Sequence, residues 1–145
     1  MRIGDAMREP AVTVPETASV QDTALRMKHS GTRVVFIVDN DTCLLGTVTD
    51  RDLAVRVLAA GLPAQVRVKA VMTRRPAAVD ADDDLMAAYR AMHAGRAQWI
   101  PVVSEGRLVG VVTFDDLFRI STRGLAEPQR AVVEAPAPLA PFRAA

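Results

Sequence analysis

The sequence predicts a mixed α+β or α/β fold made of two β-α-β-β-α units in tandem. Three observations carry that reading. First, residues recur 65 positions apart: Met7 returns as Met72, Val14 as Val79, Val20 as Leu85, Ala24 as Tyr89 and Met27 as Met92. After a one-residue slip the offset becomes 64, and Val38 matches Val102, Leu44 matches Leu108 and Gly46 matches Gly110. Second, each half holds one stretch at helical spacing followed by two β-branched or apolar runs. Third, both halves close on the same text, with Gly46-Thr47-Val48-Thr49 and Asp52-Leu53 answered by Gly110-Val111-Val112-Thr113 and Asp116-Leu117. Self-similarity at a fixed spacing marks a duplicated supersecondary unit.

Taken in order, Ala11 to Val14 reads as a short extended piece and is matched by Ala77 to Val79. Ser19 follows as a helix N-cap, with Asp22 in the capping-box position. Val20, Ala24 and Met27 share one helical face, as do Leu85, Tyr89 and Met92. Gly31 and Gly95 are expected as the left-handed residues that end these helices. The strands come next: Val34 to Val38 and Leu44 to Val48, then Trp99 to Val103 and Leu108 to Val112. The polar loop inside each pair is a hairpin signal. Runs this apolar are expected to be covered by helices. A second helix opens at Thr49 and at Thr113, and Gly61 ends the first of these. The units span 1–66 and 67–122. Residues 123–145 are rich in alanine and hold Pro128, Pro136, Pro138 and Pro141, which reads as a flexible tail.

Composition excludes several classes of function. The chain has 145 residues, half of them hydrophobic, enough for a core without disulfides. A single cysteine excludes a disulfide framework and a zinc ribbon. Eighteen basic residues against 17 acidic ones give a net charge of +1, so no global field draws nucleic acid. No apolar run approaches the ~18 residues that a membrane span needs. Asp5, Glu9 and Pro10 stand where a signal peptide would be apolar, so the expected compartment is the cytoplasm. His29 and His93 lie near helix C-termini, where an imidazole suits the dipole. No nucleophile–base pair, metal set or Gly-rich phosphate loop is visible, and no enzymatic activity is expected.

One motif carries chemistry: a threonine, two residues, then an aspartate at a strand-to-helix turn. It occurs as Thr49/Asp52 and as Thr113/Asp116. A helix N-terminus offers unpaired N–H groups and partial positive charge, which suits a phosphate. The hydroxyl adds a donor, and a carboxylate can accept from both hydroxyls of a ribose. The same pair is also a capping box that needs no ligand. The two readings are compatible.

The duplicated unit contains Gly46-Thr47-Val48-Thr49-Asp50-Arg51-Asp52-Leu53 and Gly110-Val111-Val112-Thr113-Phe114-Asp115-Asp116-Leu117. With Ile100-Pro101-Val102-Val103 and the openings at Ala6-Met7 and Val71-Met72-Thr73, it resembles the CBS-domain family, named after cystathionine β-synthase. The resemblance covers about residues 3 to 120. It implies a tandem CBS pair, or Bateman module, whose repeats pack sheet to sheet about a pseudo-twofold axis. It further implies two clefts for adenosine-containing ligands such as AMP, ADP, ATP or S-adenosylmethionine, and a homodimer that regulates a partner without chemistry of its own.

Carried over residue by residue, the resemblance assigns Thr49, Asp52, Thr113 and Asp116 to ligand contact. It draws the adenine walls from Val12, Thr13, Val14, Val35, Phe36 and Ile37 in the first repeat. In the second they come from Ala78, Val79, Trp99, Ile100 and Pro101. Most of these are expected to be plain core, and for any one of them that is the better reading. Arg51 precedes the first acid and Asp115 the second, which favours the Thr49/Asp52 site for a charged nucleotide. Arg51 can instead pair with Asp50 or Asp52. Ile37 set against Pro101, a first hairpin without the glycine that Gly106 supplies, and Trp99 in a place where relatives often carry a polar residue depart from the family pattern. These departures are expected to narrow the second cleft. The expectation is therefore a stand-alone regulatory module with no obligatory cofactor and an adenine nucleotide as ligand. Its partners would be a second copy and an unidentified protein, with neither nucleic acid nor membrane. The alternative is a ligand-free dimerisation module.

Overall fold

A computed structural model describes residues 1–123. The expected proline-rich tail lies, from residue 124 on, outside the described residues. The first unit holds β1 (Thr13–Pro15), α1 (Val20–Ser30), β2 (Val34–Val38), β3 (Leu44–Thr49) and α2. Helix α2 opens as one α-turn, Asp50–Asp52, and continues as a π-helix, Leu53–Leu58. A two-residue strand, β4 (Thr73–Arg74), leads to the second unit: β5 (Val79–Asp80), α3 (Leu85–Gly95), β6 (Trp99–Ser104), β7 (Arg107–Thr113) and α4 (Phe114–Thr122). The sheets run β1-β2-β3-β4 and β5-β6-β7, with the first pair of each parallel and the remaining pairs antiparallel. This is the α+β class the repeat predicted.

Local chemistry explains the helices. Ser19 Oγ accepts from Asp22 N at 3.0 Å, and Asp84 caps α3 through Ala87 N at 2.9 Å. The buried faces are Val20, Thr23 and Met27 in α1 and Ala88 and Met92 in α3, with Leu85 half-buried beside them. Ala24 and Tyr89, expected on those faces, are exposed instead. Periodicity allows either i+3 or i+4, and Thr23 takes the buried place because its hydroxyl donates to Ser19 O at 2.9 Å. Gly31 ends α1 with φ 66° as expected, but Gly95 is still helical and Arg96 takes the left-handed position at φ 49°.

That shift corrects the register of the repeat. Val34 pairs with Thr49 and Trp99 with Thr113; Ile37 pairs with Gly46 and Val102 with Gly110. The offset therefore stays at 65 through β2 and β6, and the slip falls in the hairpin loop. Phe36, not Ile37, stands where the second unit has Pro101. Thr42 adopts φ 63° in the loop that lacks the second unit's glycine, beside Asp39 Oδ1, which accepts from Asp41 N and Cys43 N.

Each unit builds its core partly from the other's opening segment. Val68, Val71 and Met72 pack with Val14, Val20, Val35, Ile37 and Val48. Ile3, fully buried, packs with Val79, Ala88, Ile100, Val102 and Val112. The exchange is reciprocal bond for bond. Val68 N donates to Ala18 O at 2.8 Å and Ile3 N to Asp83 O at 2.9 Å. Thr73 pairs with Thr47 on β3, and Arg8 pairs with Val111 on β7. Phe36 and Trp99 form a T-shaped pair with ring centroids 5.8 Å apart, joining β2 to β6 across the two halves.

Candidate functional site

Two open clefts lie where the halves meet. The first, of about 780 Å³, is walled by Thr49, Arg51 and Asp52 from the first unit and by Pro76, Trp99 and Ile100 from the second. The second, of about 650 Å³, is walled by Thr113 and Asp115, by Gly31 to Val34, and by Arg8. Arg33, Gln98 and Trp99 border both. The structure thus brings Thr49, Arg51, Asp52, Trp99 and Ile100 into one cleft, and Thr113 and Trp99 into the other.

The remaining sequence candidates lie elsewhere. Val14, Val35, Ile37 and Val79 are in the two cores, and Phe36 and Pro101 are buried. Val12 packs against the first core and Ala78 is exposed. Thr13 lines a separate recess with Pro10, Val38 and Leu108. Arg33, Gln98, Arg96 and Arg8 were not singled out from sequence. Arg33 and Gln98 hold one repeat position just ahead of β2 and β6, which the offset of 65 would have exposed.

Both Thr-x-x-Asp turns are closed capping boxes, but their free valences differ. Thr49 Oγ1 accepts from Asp52 N at 3.1 Å, and Asp52 Oδ2 accepts from Thr49 N at 2.9 Å. Asp52 Oδ1 has only Arg56 Nη2 at 3.6 Å, beyond hydrogen-bond length. Arg56 is held instead by Val71 O at 2.8 Å. In the second turn Thr113 Oγ1 also donates to Asp116 Oδ2, at 2.7 Å, and Thr113 N donates to the same oxygen at 3.0 Å. Asp116 Oδ1 accepts from Arg8 Nε at 2.8 Å and Arg119 Nη2 at 3.0 Å. Asp116 is 7% exposed and Asp52 20%. Burial pushes the Asp116 carboxyl up, but hydrogen bonds from Arg8 and Thr113 outweigh it and hold the group below its ordinary value. The same contact raises the Arg8 guanidinium above its own.

The first cleft can therefore offer a threonine hydroxyl with its proton uncommitted, a carboxylate oxygen with open lone pairs, and a cationic rim. Arg33, Arg51 and Arg96 line it with Asp50 and Asp52. Arg33 Nε is 3.2 Å from Asp50 Oδ2, an exposed pair of little strength. An indole and Ile100 supply apolar wall.

Two β-α-β-β-α units that exchange openings and frame paired clefts define a pseudo-symmetric domain pair. The chain belongs to the CBS domain family, whose model matches residues 3–59 and 68–123. It is similar to the CBS domain-containing protein CBSCBSPB3 of Arabidopsis thaliana, 37% identical over 103 residues, which is 70% of this chain and 18% of that relative. The chain thus spans under a fifth of that relative's length. The fold is similar to that of Hypoxic Response Protein I with two coordinated zinc ions, at TM-score 0.77 and 29% identity, over 82% of this chain and 98% of that one. It is similar as well to CBSX2 in complex with AMP, at TM-score 0.72 and 25% identity, over 84% of this chain and 96% of that one. Among the described residues no group of three or more His, Cys, Asp or Glu could hold a metal ion, and no helix is long and apolar enough to cross a membrane.

Proposed function

We propose that this protein is a cytoplasmic regulatory module that binds an adenosine-containing ligand in the Thr49/Asp52 cleft and performs no chemistry. The observation that carries the reading is the open Asp52 carboxylate beside the Thr49 hydroxyl on a cleft rimmed by arginines. Asp52 Oδ1 would accept from the ribose hydroxyls, the Thr49 turn and Arg51 would meet phosphate, and Trp99 with Ile100 would flank the base. The AMP complex of CBSX2 supports this ligand class. Output would pass through the geometry of a homodimer or through a protein partner, because a ligand shifts an equilibrium only by its differential affinity for two states. Leu58 and Phe118, 80% and 60% exposed, are apolar surface that a second copy would cover.

The test is thermal melting with AMP, ADP, ATP and S-adenosylmethionine. A ligand at 100 times its Kd adds about 2.7 kcal/mol to the native state. At roughly 2–4 °C per kcal/mol, that is a rise of several degrees. The rise should disappear in Asp52→Ala. Melting points unmoved by any of the four at millimolar concentration would overturn the reading and favour a ligand-free dimerisation module.

A further inference from the structure

The two clefts differ most in what the crossing segment brings to them. Arg8 and Thr73 hold the same place in the exchange. Each follows a methionine, Met7 or Met72, that packs against a strand glycine, and each pairs with the neighbouring strand at equivalent positions, Val111 and Thr47. Thr73 is short, and the carboxylate beyond it, Asp52, stays on the wall of its cleft. Arg8 is long. Its Nε and Nη2 both stand 2.8 Å from Asp116 Oδ1, and it walls both the second cleft and the separate recess of about 310 Å³ onto which Asp116 and Arg119 face, so that it stands between Asp116 and the second cleft.

A carboxylate offers about four lone-pair sites. Asp116 accepts two hydrogen bonds on Oδ1, from Arg8 Nε and Arg119 Nη2, and two on Oδ2 from Thr113, while Arg8 Nη2 stands 2.8 Å from Oδ1 as an ion pair. No acceptor capacity is left for a diol. The Thr113 proton is spent on the same carboxylate, so the turn has no spare hydroxyl donor either. Asp115 adds a negative charge to this cleft. A phosphate that drew Arg8 away would leave a nearly buried carboxylate with Arg119 as its one remaining cation, an outcome that low exposure makes costly.

We infer that Arg8 is an internal occupant of the second cleft, a side chain that takes the acceptor carboxylate a ribose would need, so that the chain carries one open nucleoside site and one latent site. The inference rests on the reading that these clefts take adenosine-containing ligands. It assigns to a single residue of the crossing segment the decision between one ligand and two, and it makes displacement of that segment the event that opens the second site.

Calorimetric titration with AMP tests it. The wild-type chain should bind one AMP. Arg8→Thr, which installs the residue found at the matching place in the other half, should bind two, with the second event at least tenfold tighter than anything the wild type offers there. If Arg8→Thr unfolds below the titration temperature, Arg8→Gln leaves one amide donor on the carboxylate and carries the same test. Two AMP per wild-type chain would overturn the inference. One AMP in both proteins would also overturn it, while leaving the nucleotide reading intact. No binding by either protein would overturn both.

Discussion

Gly46 and Met72 approach more closely than any side chain on residue 46 would permit: a Cβ there would lie 2.6 Å from the Met72 sulfur and 2.8 Å from Thr73 O. Gly110 stands in the same relation to Met7 and Arg8, with both distances at 2.8 Å. The methionine can move aside, but the Thr73 and Arg8 carbonyls belong to strand pairings and cannot. Gly46→Ala should therefore push β4 off β3 at a cost of about 1–3 kcal/mol, the usual penalty of overpacking. Gly95→Ala is the control. Its Cβ would meet nothing within 4 Å, and removing a helical glycine should add up to about 0.5 kcal/mol. Thermal melts of both variants check the pair, and a Gly46→Ala protein as stable as wild type would show that the openings are not seated so closely.

Spacing exposed this contact only by half. Met7 with Met72 and Gly46 with Gly110 are matched in the repeat, yet a repeat reads the same whether an opening packs on its own unit or crosses to the other. Ile3 in the second core and Val68 in the first were illegible for that reason. The Thr-x-x-Asp turns were legible because capping chemistry and strand-to-helix text coincide there. The adenine walls were not. Valine and isoleucine suit a ligand slot and a core equally: Val35, Ile37 and Ile100 are all buried in the two cores, and Ile100 also reaches the wall of the first cleft beside the half-buried Trp99. Arg33 and Gln98 were hidden by placing the one-residue slip ahead of β2 and not in the hairpin.

Asp52 and Asp116 share a motif but should fail differently. Asp52→Ala removes one cap bond, to Thr49 N, and loses about 0.5–1 kcal/mol of stability. Its larger effect should be on ligand, with AMP affinity down at least tenfold. Asp116→Ala strips Arg8, Arg119 and Thr113 of their acceptor. Removing a partner from a buried pair costs several kcal/mol, but both arginines are more than half exposed, so about 2 kcal/mol is expected. Wild-type AMP affinity should survive it. Denaturant melts beside AMP titrations distinguish the two, and equal affinity losses would defeat the asymmetry between the clefts.

The same carboxylate sets a pH dependence. The folded protein holds Asp116 below its ordinary value of 3.8, so as pH falls the unfolded chain takes the proton first. Stability from this group is complete above that value and is lost as pH drops below it toward the lower folded value. Melting points measured from about pH 5 to about pH 2.5 should fall more steeply for wild type than for Asp116→Asn, whose side chain does not titrate. Parallel curves would mean that the Arg8 and Thr113 bonds do not outweigh the burial of the acid.

Trp99 is the chain's one tryptophan, and it borders both clefts while forming a T-shaped pair with Phe36. Its emission should therefore report ligand in either cleft, since a nucleotide there replaces water beside the indole. In wild type, AMP should change the emission along a single saturating curve, shifted at least tenfold to higher concentration in Asp52→Ala. In Arg8→Thr the same indole should give two phases, because the Thr113 cleft then fills as well. An emission that stays constant while calorimetry records binding would place the ligand away from the wall that Trp99 forms. A single phase in Arg8→Thr with two AMP bound would mean that the clefts fill with one affinity, which the unequal surroundings of Asp52 and Asp116 argue against.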